Sequence, residues 1–128
     1  MSGGSPDKPY TRKQKGAAGE KAALQYLSAH GYRIIDSNWR CRSGELDIIA
    51  EYGEVLIFVE VRSRSGSLLQ GTPEESVDER KIRQVRTTAQ VYMHRMGQDE
   101  RRVSFDVISV MLNEDLGITS LHHIREAF

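Results

Sequence analysis

The fold is decided by the stretch GELDIIAEYGEVLIFVEVRSR, residues 44–64. Its two apolar runs are rich in Ile, Val, Leu and Phe, and Tyr52-Gly53 between them suits a hairpin turn, so the stretch predicts two antiparallel strands. Apolar side chains occupy both faces of the pleat, which indicates burial on both sides. Asp47, Glu60 and Arg62 need an explanation, because a charge inside a buried hairpin is costly without a partner.

A helix and a strand precede this hairpin. Good helix formers fill the chain from Thr11 to His30, and Gly31 supplies a stop, so a first helix is predicted there. Residues 32–40 are rich in Tyr and Ile, which predicts a strand, and CRSG turns the chain into the hairpin. Glu20 falls in the middle of the apolar arc of the helix and is a further charge out of place.

After the hairpin the pattern returns to a helix. Pro73 and the acidic pair at 74–75, which suits the positive end of a helix dipole, predict the start of an amphipathic helix over residues 74–96. RVSFDVISVML, residues 102–112, predicts a fourth strand, and SLHHIREAF, residues 120–128, is a candidate fifth. This order predicts an α/β or α+β layer architecture.

Length and composition limit the classes of protein to consider. With 128 residues, 38% of them hydrophobic, the chain can form one domain, expected over residues 11–128 after a disordered Gly-, Ser- and Pro-rich tail at 1–10. The 18 basic and 18 acidic residues cancel, so composition alone implies no nucleic-acid or membrane partner. A single cysteine, Cys41, and the lack of a secretory or membrane-spanning apolar run favour the cytoplasm and no membrane partner.

The charges of the hairpin can be placed from strand geometry. A two-residue turn at 52–53 would pair Glu51 with Glu54, which makes Asp47 and Glu60 diagonal neighbours on one face, about 7–8 Å apart at the backbone. Two carboxylates so placed can hold one hard cation between them. Mg²⁺ or Mn²⁺ is therefore the expected ion.

A structural alternative stays open at this point. Asp47 and Glu60 could form ion pairs with Arg62, Arg64 or a helix lysine, and the spacing alone does not decide between the two interpretations. Glu20 taken by itself is better explained as solvated at the edge of its apolar arc. The three misplaced carboxylates together favour a shared site.

Four segments carry a family resemblance. QKGAAGEKAALQYLSAHGYRIIDSNWR at 14–40, GELDIIA at 44–50, LIFVEVRSR at 56–64 and FDVI at 105–108 resemble the YraN-like family of predicted endonucleases, in the PD-(D/E)xK nuclease superfamily. That family is similar in layout to archaeal Holliday-junction resolvases. The resemblance implies a mixed central β-sheet flanked by helices.

The resemblance also implies an active site. Its catalytic residues would be Glu20, Asp47, Glu60 and Arg62, with Asp47, Glu60 and the Val61 carbonyl on one metal ion and Glu20 on a second ion or a metal-bound water. Arg62 stands where the superfamily has lysine, which the narrower family also accepts. A guanidinium stays protonated, so we expect Arg62 to act as an electrostatic clamp on a phosphate oxygen.

Basic residues near these positions suggest a path for DNA. The candidate contacts are Arg40, Arg42, Arg64, Lys81 and Lys13. A backbone-tracking surface needs only local clustering of this kind. For TRKQK and for the basic residues of the second helix, a solvated helix face is the alternative explanation.

Several other residues invite a functional interpretation. His122 and His123 would point to opposite faces of a strand, so packing or exposure is expected rather than a shared metal. Trp39 could stack on bases, although sheet packing is the commoner role. Asp106 resembles a family position, but Ser104 stands where relatives often have arginine, which argues against an Asp106–Arg pair.

The sequence therefore predicts a metal-dependent DNA endonuclease that hydrolyses phosphodiesters, with branched DNA as a substrate implied only by the resemblance. A cut through two strands needs two active sites, so we also expect a homodimer. The alternatives are a non-catalytic nucleic-acid-binding protein that retains the nuclease fold, and an interaction module in which the acidic residues form structural ion pairs.

Overall fold

A computed structural model describes residues 10–65 and 78–128 as two helices and five strands. In chain order they are α1 (Arg12–Ala29), β1 (Arg33–Cys41), β2 (Gly44–Tyr52), β3 (Val55–Ser65), α2 (Glu79–Arg95), β4 (Val103–Leu112) and β5 (Ile118–Ile124). Neither helix in this described part is long and apolar enough to cross a membrane.

The five strands form one mixed sheet in the order β1-β2-β3-β4-β5. Strands β1, β2 and β3 pair antiparallel, β3 and β4 pair parallel, and β5 returns antiparallel on β4. A parallel pair needs a long crossover, and α2 lies within the connection from β3 to β4. The predicted α/β (α+β) class with a mixed central sheet is confirmed.

The two helices cover opposite faces of this sheet. Helix α1 packs Ala23 and Leu27 into a core cluster with the strand residues Ile48, Ala50, Ile57, Val59, Ile108 and Val110. Helix α2 builds the other cluster, in which its apolar residues meet Leu46, Ile49, Leu56 and Phe58. Both faces of the central strands are therefore buried, as their two-sided apolar pattern predicted.

Helix α1 and the last two strands, β4 and β5, lie close to their predicted places. Thr11 is the N-cap, and its side chain accepts from the Gln14 N–H while the Gln14 side chain accepts from the Thr11 N–H. This reciprocal capping box fixes the start of the helix. The fourth strand agrees within one residue, and the candidate fifth strand is present, but it begins at Ile118, earlier than predicted.

The start of α2 differs from the prediction. The acidic pair at 74–75 lies outside the described residues, as do residues 1–9 of the predicted tail. The helix as described begins at Glu79, because Asp78 is extended and its side chain caps the Lys81 N–H at 2.9 Å. A continuous helix from residue 74 is therefore wrong, since Asp78 competes for a backbone donor as an N-cap does.

The hairpin register also differs from the prediction. Tyr52 pairs with Val55 and Glu51 with Leu56, so the turn is Gly53-Glu54, and the predicted Glu51–Glu54 pairing is wrong. Gly53 takes a φ of 61°, which glycine adopts without steric cost. Moving the turn by one residue shifts the β3 partner of every β2 residue by two positions, so that Glu51 pairs with Leu56 instead of Glu54.

Helix α1 meets β3 by an unusually close approach at Gly19. A Cβ placed on Gly19 would lie 1.8 Å from Ser63 Oγ and 2.9 Å from Ser63 Cβ. Only a residue without a side chain fits between the helix and the strand at this height. The contact sets the distance between α1 and the end of β3, and hence the position of the next residue, Glu20.

Gly19→Ala should lower the free energy of unfolding by about 1–3 kcal/mol, because the added methyl group forces the helix away from Ser63. Ser63→Gly removes both clashing atoms, so the double variant should recover part of the loss in a double-mutant cycle measured by urea unfolding. Additive losses would show that Gly19 matters for some reason other than this contact.

Candidate metal centre and basic cleft

Polar side chains from three neighbouring strands stand at one level of the sheet. The last pair of the β2–β3 ladder is Ile48 with Val59, so one step further Asp47 faces Glu60. On the other side, Asp47 faces Asn38, which lies between two pairs that β1 makes with β2. The predicted diagonal placement of Asp47 and Glu60 is wrong, and the two acids are direct neighbours because of the shifted register.

The regular alternation of β2 breaks at Asp47. Leu46 packs in the α2 cluster and Ile48 in the α1 cluster, although strict alternation would put both on one face. The in–out alternation of β2 side chains is therefore interrupted at Asp47. Its Oδ2 accepts a hydrogen bond of 2.9 Å from the Val61 N–H, where a strand carbonyl would otherwise serve.

Glu60 is the most perturbed acid of this row. Its side chain is only 5% exposed, and it shares a hydrogen bond with Asp47. Burial first, and then the charge and hydrogen bond of Asp47, raise the pKa of Glu60 to about 8, although Lys81 and Arg62 act in the opposite direction. Glu60 therefore keeps its proton near neutral pH and stays hydrogen-bonded to Asp47.

A divalent cation fits this pair chemically. Two adjacent carboxylates that cannot both ionise unaided supply the oxygen donors that Mg²⁺ and Mn²⁺ prefer, and a cation would take the place of the shared proton. In residues 10–65 and 78–128, however, no three His, Cys, Asp or Glu side chains form a ready metal-binding group. The donor set is therefore the pair Asp47 and Glu60, with Glu20 nearby.

Glu20 reaches the same region from α1. Its Oε1 accepts a hydrogen bond of 2.7 Å from Asn38 Nδ2, and the residue is half-buried. Burial raises the pKa of Glu20, the Asn38 hydrogen bond lowers it, and the charges of Asp47 and Glu45 raise it further, with a net upward shift. Glu20 therefore interacts electrostatically with Asp47 while its carboxylate is held by Asn38.

Arg62 brings an unsatisfied donor to the site. Its Nε is buried and has no hydrogen-bond partner among the described residues, although the residue as a whole is half-buried and lines the cleft. A buried N–H without an acceptor is uncommon and costs about 1–3 kcal/mol.

A cleft of about 1040 Å³ opens between α1 and the ends of the strands. Glu20, Glu45 and Asp47 line it, whereas the buried Glu60 does not. Basic side chains surround the acids, and they are Arg12, Lys13, Lys15, Arg40, Arg62 and Arg64.

The predicted DNA contacts divide into two groups. Lys13, Arg40 and Arg64 line the cleft, and Arg40 is paired with Glu45 at 2.9 Å. Arg42 is exposed in the turn between β1 and β2 and does not line the cleft. Lys81 lies on α2, and its Nζ is 3.6 Å from Glu60 Oε1. It does not line the cleft.

The first turn of α1 is basic, which is unusual. It contains no acidic residue, yet Arg12, Lys13 and Lys15 lie at the end of the helix where the dipole is positive. Cations there are unfavourable by a few tenths to about 1 kcal/mol each, whereas anions are favoured. Positive charge concentrated at this point suits a bound anion better than it suits the helix.

The remaining candidates have structural contacts. Asp106 is buried and binds His123 Nε2 at 2.7 Å and Ser104 Oγ at 2.6 Å, which accounts for its charge without an arginine. Tyr26 OH completes the chain at 3.1 Å from His123 Nδ1. Trp39 packs edge-on against Tyr92 of α2, beside the core cluster of that helix, which agrees with the expected packing role.

Sequence reasoning missed two residues of this arrangement. Asn38 could have been noticed, because asparagine is a poor strand former and the best-tolerated residue after glycine at positive φ, and here its φ is 54°. His123 gave no such signal, because it lies 17 residues from Asp106 and only the β4–β5 pairing brings them together.

The shared proton predicts how stability changes with pH. The folded protein holds the Glu60 proton up to about pH 8, whereas the unfolded chain releases it near 4.5, so this contribution is complete below pH 4.5 and is lost as the pH rises to 8. Glu60→Gln should remove this pH-dependent loss of stability. In urea unfolding without divalent cations, the free energy of unfolding of the variant should increase relative to that of wild type between pH 4.5 and 8, by at most about 5 kcal/mol.

A structural Glu60–Lys81 ion pair would give the opposite sign. In that case the pKa of Glu60 would be lowered, and Glu60→Gln would be the less stable protein at pH 8.

Comparison with known proteins identifies the family of this chain. The model of the uncharacterised protein family UPF0102 matches residues 19–110. A UPF0102 protein of Moorella thermoacetica is 42% identical over 118 residues, which cover 92% of this chain and 98% of that protein. One of Persephonella marina is 44% identical over 114 residues, covering 89% and 92%. The chain therefore belongs to the UPF0102, or YraN-like, family.

Proposed function

We propose that this protein is a metal-dependent endonuclease that hydrolyses phosphodiester bonds in DNA. The observation that carries the proposal is the buried Asp47–Glu60 pair beside a cleft with basic walls. Paired carboxylates of this kind have no evident structural purpose, since they repel each other and require a proton to coexist. Phosphodiester hydrolysis needs both a cation site and a positively charged surface for the substrate.

Each residue of the pair has a definite task in this proposal. Asp47 and Glu60 would hold Mg²⁺ or Mn²⁺, which lowers the pKa of a water molecule and offsets charge on the phosphate. The Val61 N–H fixes the Asp47 carboxylate through its 2.9 Å hydrogen bond, so one rotamer is maintained. Glu20, aimed into the same cleft, would orient water or support a second ion.

Arg62 would bind the phosphate at which the bond breaks. Its guanidinium cannot accept a proton at working pH, so it stabilises charge rather than acting as a base. The unpartnered Nε has already lost its contact with water, so the folded protein already bears the cost of desolvating this donor. In the proposed complex the Arg62 side chain would donate hydrogen bonds to an anionic phosphate oxygen.

The walls of the cleft would track the DNA backbone. Lys13 and Lys15 on α1 and Arg64 on β3 line the same cleft as Glu20 and Asp47, so they could bind phosphates that flank the scissile bond. No aromatic residue occurs in the described lining, which suits contacts to phosphates better than stacking on bases. Branched DNA and a homodimer with two such clefts are further parts of the proposal.

A second candidate is a DNA-binding protein without catalysis. Two features favour it. Arg62 stands in place of a titratable lysine, and among the described residues no third carboxylate joins Asp47 and Glu60 in a metal-binding group. Both candidates predict DNA binding that weakens as salt rises, so only cleavage separates them.

Asp47→Ala should abolish cleavage of DNA in Mg²⁺ or Mn²⁺ while most of the DNA affinity is retained, because the acids serve the reaction and the basic walls serve binding. The measurement is gel analysis of branched, flapped, single-stranded and duplex DNA, with affinities from fluorescence anisotropy. Arg62→Ala should lower the rate by about 10²–10³-fold in the same assay, and Arg62→Lys should retain measurable activity.

Glu114→Ala, which removes an exposed acid on the β4–β5 turn, is the matched control and should cut like wild type. Cleavage that survives Asp47→Ala would place the reaction elsewhere or in a contaminant. Salt-dependent DNA binding without cleavage by wild type would favour the binding protein.

A further inference from the structure

Asn38 has a backbone conformation that a strand does not explain. Its φ is 54°, yet Ser37 pairs with Ile48 before it and Trp39 pairs with Leu46 after it. A left-handed residue inside a strand costs about 1 kcal/mol or more and persists only where the surroundings hold it in place. Register is kept across this residue, so the cost is not the by-product of an inserted residue.

The conformation places a side-chain amide between the sheet and α1. Asn38 Nδ2 donates to Glu20 Oε1 at 2.7 Å, and both residues line the cleft that contains Asp47. Asn38 also faces Asp47 across the β1–β2 ladder, so it stands next to one acid on a strand and is bonded to another on a helix. Among Asn38, Asp47 and Glu60, only Asn38 connects the strands to Glu20 by a described hydrogen bond.

Glu20 needs such a partner. A glutamate side chain on a helix has several rotamers, and nothing else among the hydrogen bonds of the described residues restrains this one. Its surroundings are half-buried and acidic, with Asp47 and Glu45 nearby, so electrostatics alone would turn the carboxylate away from the pair. The Gly19–Ser63 contact fixes the helix, but not the side chain.

We propose that Asn38 is the positioning residue of this cleft: its left-handed backbone and its amide hold the Glu20 carboxylate beside the Asp47–Glu60 pair. The inference rests on the proposed function for its purpose, and on the hydrogen bond and backbone geometry for its mechanism. Asn38 acts through Glu20 and need not touch the DNA or a metal ion. Supporting residues of this kind typically change metal affinity or activity by about 10–100-fold.

Asn38→Gly is the decisive variant, because glycine accepts the positive φ and removes only the amide. The metal-free melting temperature should stay close to that of wild type. The Mn²⁺ affinity, obtained from the rise in melting temperature with Mn²⁺ concentration, should fall by about 10–100-fold. The kcat for DNA cleavage should fall with it, while the KM for DNA stays unchanged.

Two further variants separate positioning from a general structural effect. Ser37→Ala, at the neighbouring strand position, is the matched control and should bind Mn²⁺ like wild type. Glu20→Gln should weaken Mn²⁺ binding, and adding Asn38→Gly to it should have no further effect, because Asn38 works through Glu20.

An Asn38→Gly variant that binds Mn²⁺ like wild type, or losses that add in the double variant, overturns the positioning role. If wild type binds Mn²⁺ but cuts no DNA, the endonuclease proposal fails. The Mn²⁺ affinities of the two single variants and the double variant still decide the role of Asn38 in that case. A wild type that does not bind Mn²⁺ overturns both.

Discussion

The interaction on which the rest of this structure depends is the contact between Asp47 and Glu60. Two acids at the end of a buried ladder repel each other, and their burial is tolerable only with a shared proton or a cation between them. Lys81 lies 3.6 Å from Glu60 and offsets part of the charge, but burial and Asp47 outweigh it. A divalent cation bound as proposed would relieve this repulsion.

The surrounding elements serve to keep this site in place. Strand β3 is fixed by antiparallel β2 on one side and parallel β4 on the other, which gives Glu60 a rigid position. Helix α1 approaches β3 through Gly19 and so brings Glu20 into the cleft. On the far side of α1, Tyr26 reaches the buried His123–Asp106 pair, which ties the same helix to β4 and β5.

The elements of this fold could be predicted from residue type, but their exact alignment could not. The start of α1 near Thr11 and the apolar runs of β2, β3 and β4 depend on local chemistry, and so they were predicted at nearly the right places, whereas the capping box at Thr11 was not predicted. The hairpin turn was predicted one residue too early, which made the β2–β3 register wrong by two residues, because Tyr52-Gly53 and Gly53-Glu54 are both acceptable turns and packing decides between them. Asp47, Glu60 and Glu20 were recognised as misplaced charges, whereas the role of Asn38 depends on a backbone angle that composition does not reveal.

If Glu60 holds a proton that a divalent cation displaces, the binding of Mn²⁺ must release that proton to the solvent. Isothermal titration of Mn²⁺ into the protein at pH 7, in buffers of different ionisation enthalpy, should show about one proton released per ion bound, because the pKa of Glu60 is about 8. The number released should fall towards zero as the pH rises above 8. Mn²⁺ binding without proton release at pH 7, or no binding at all, would contradict the account.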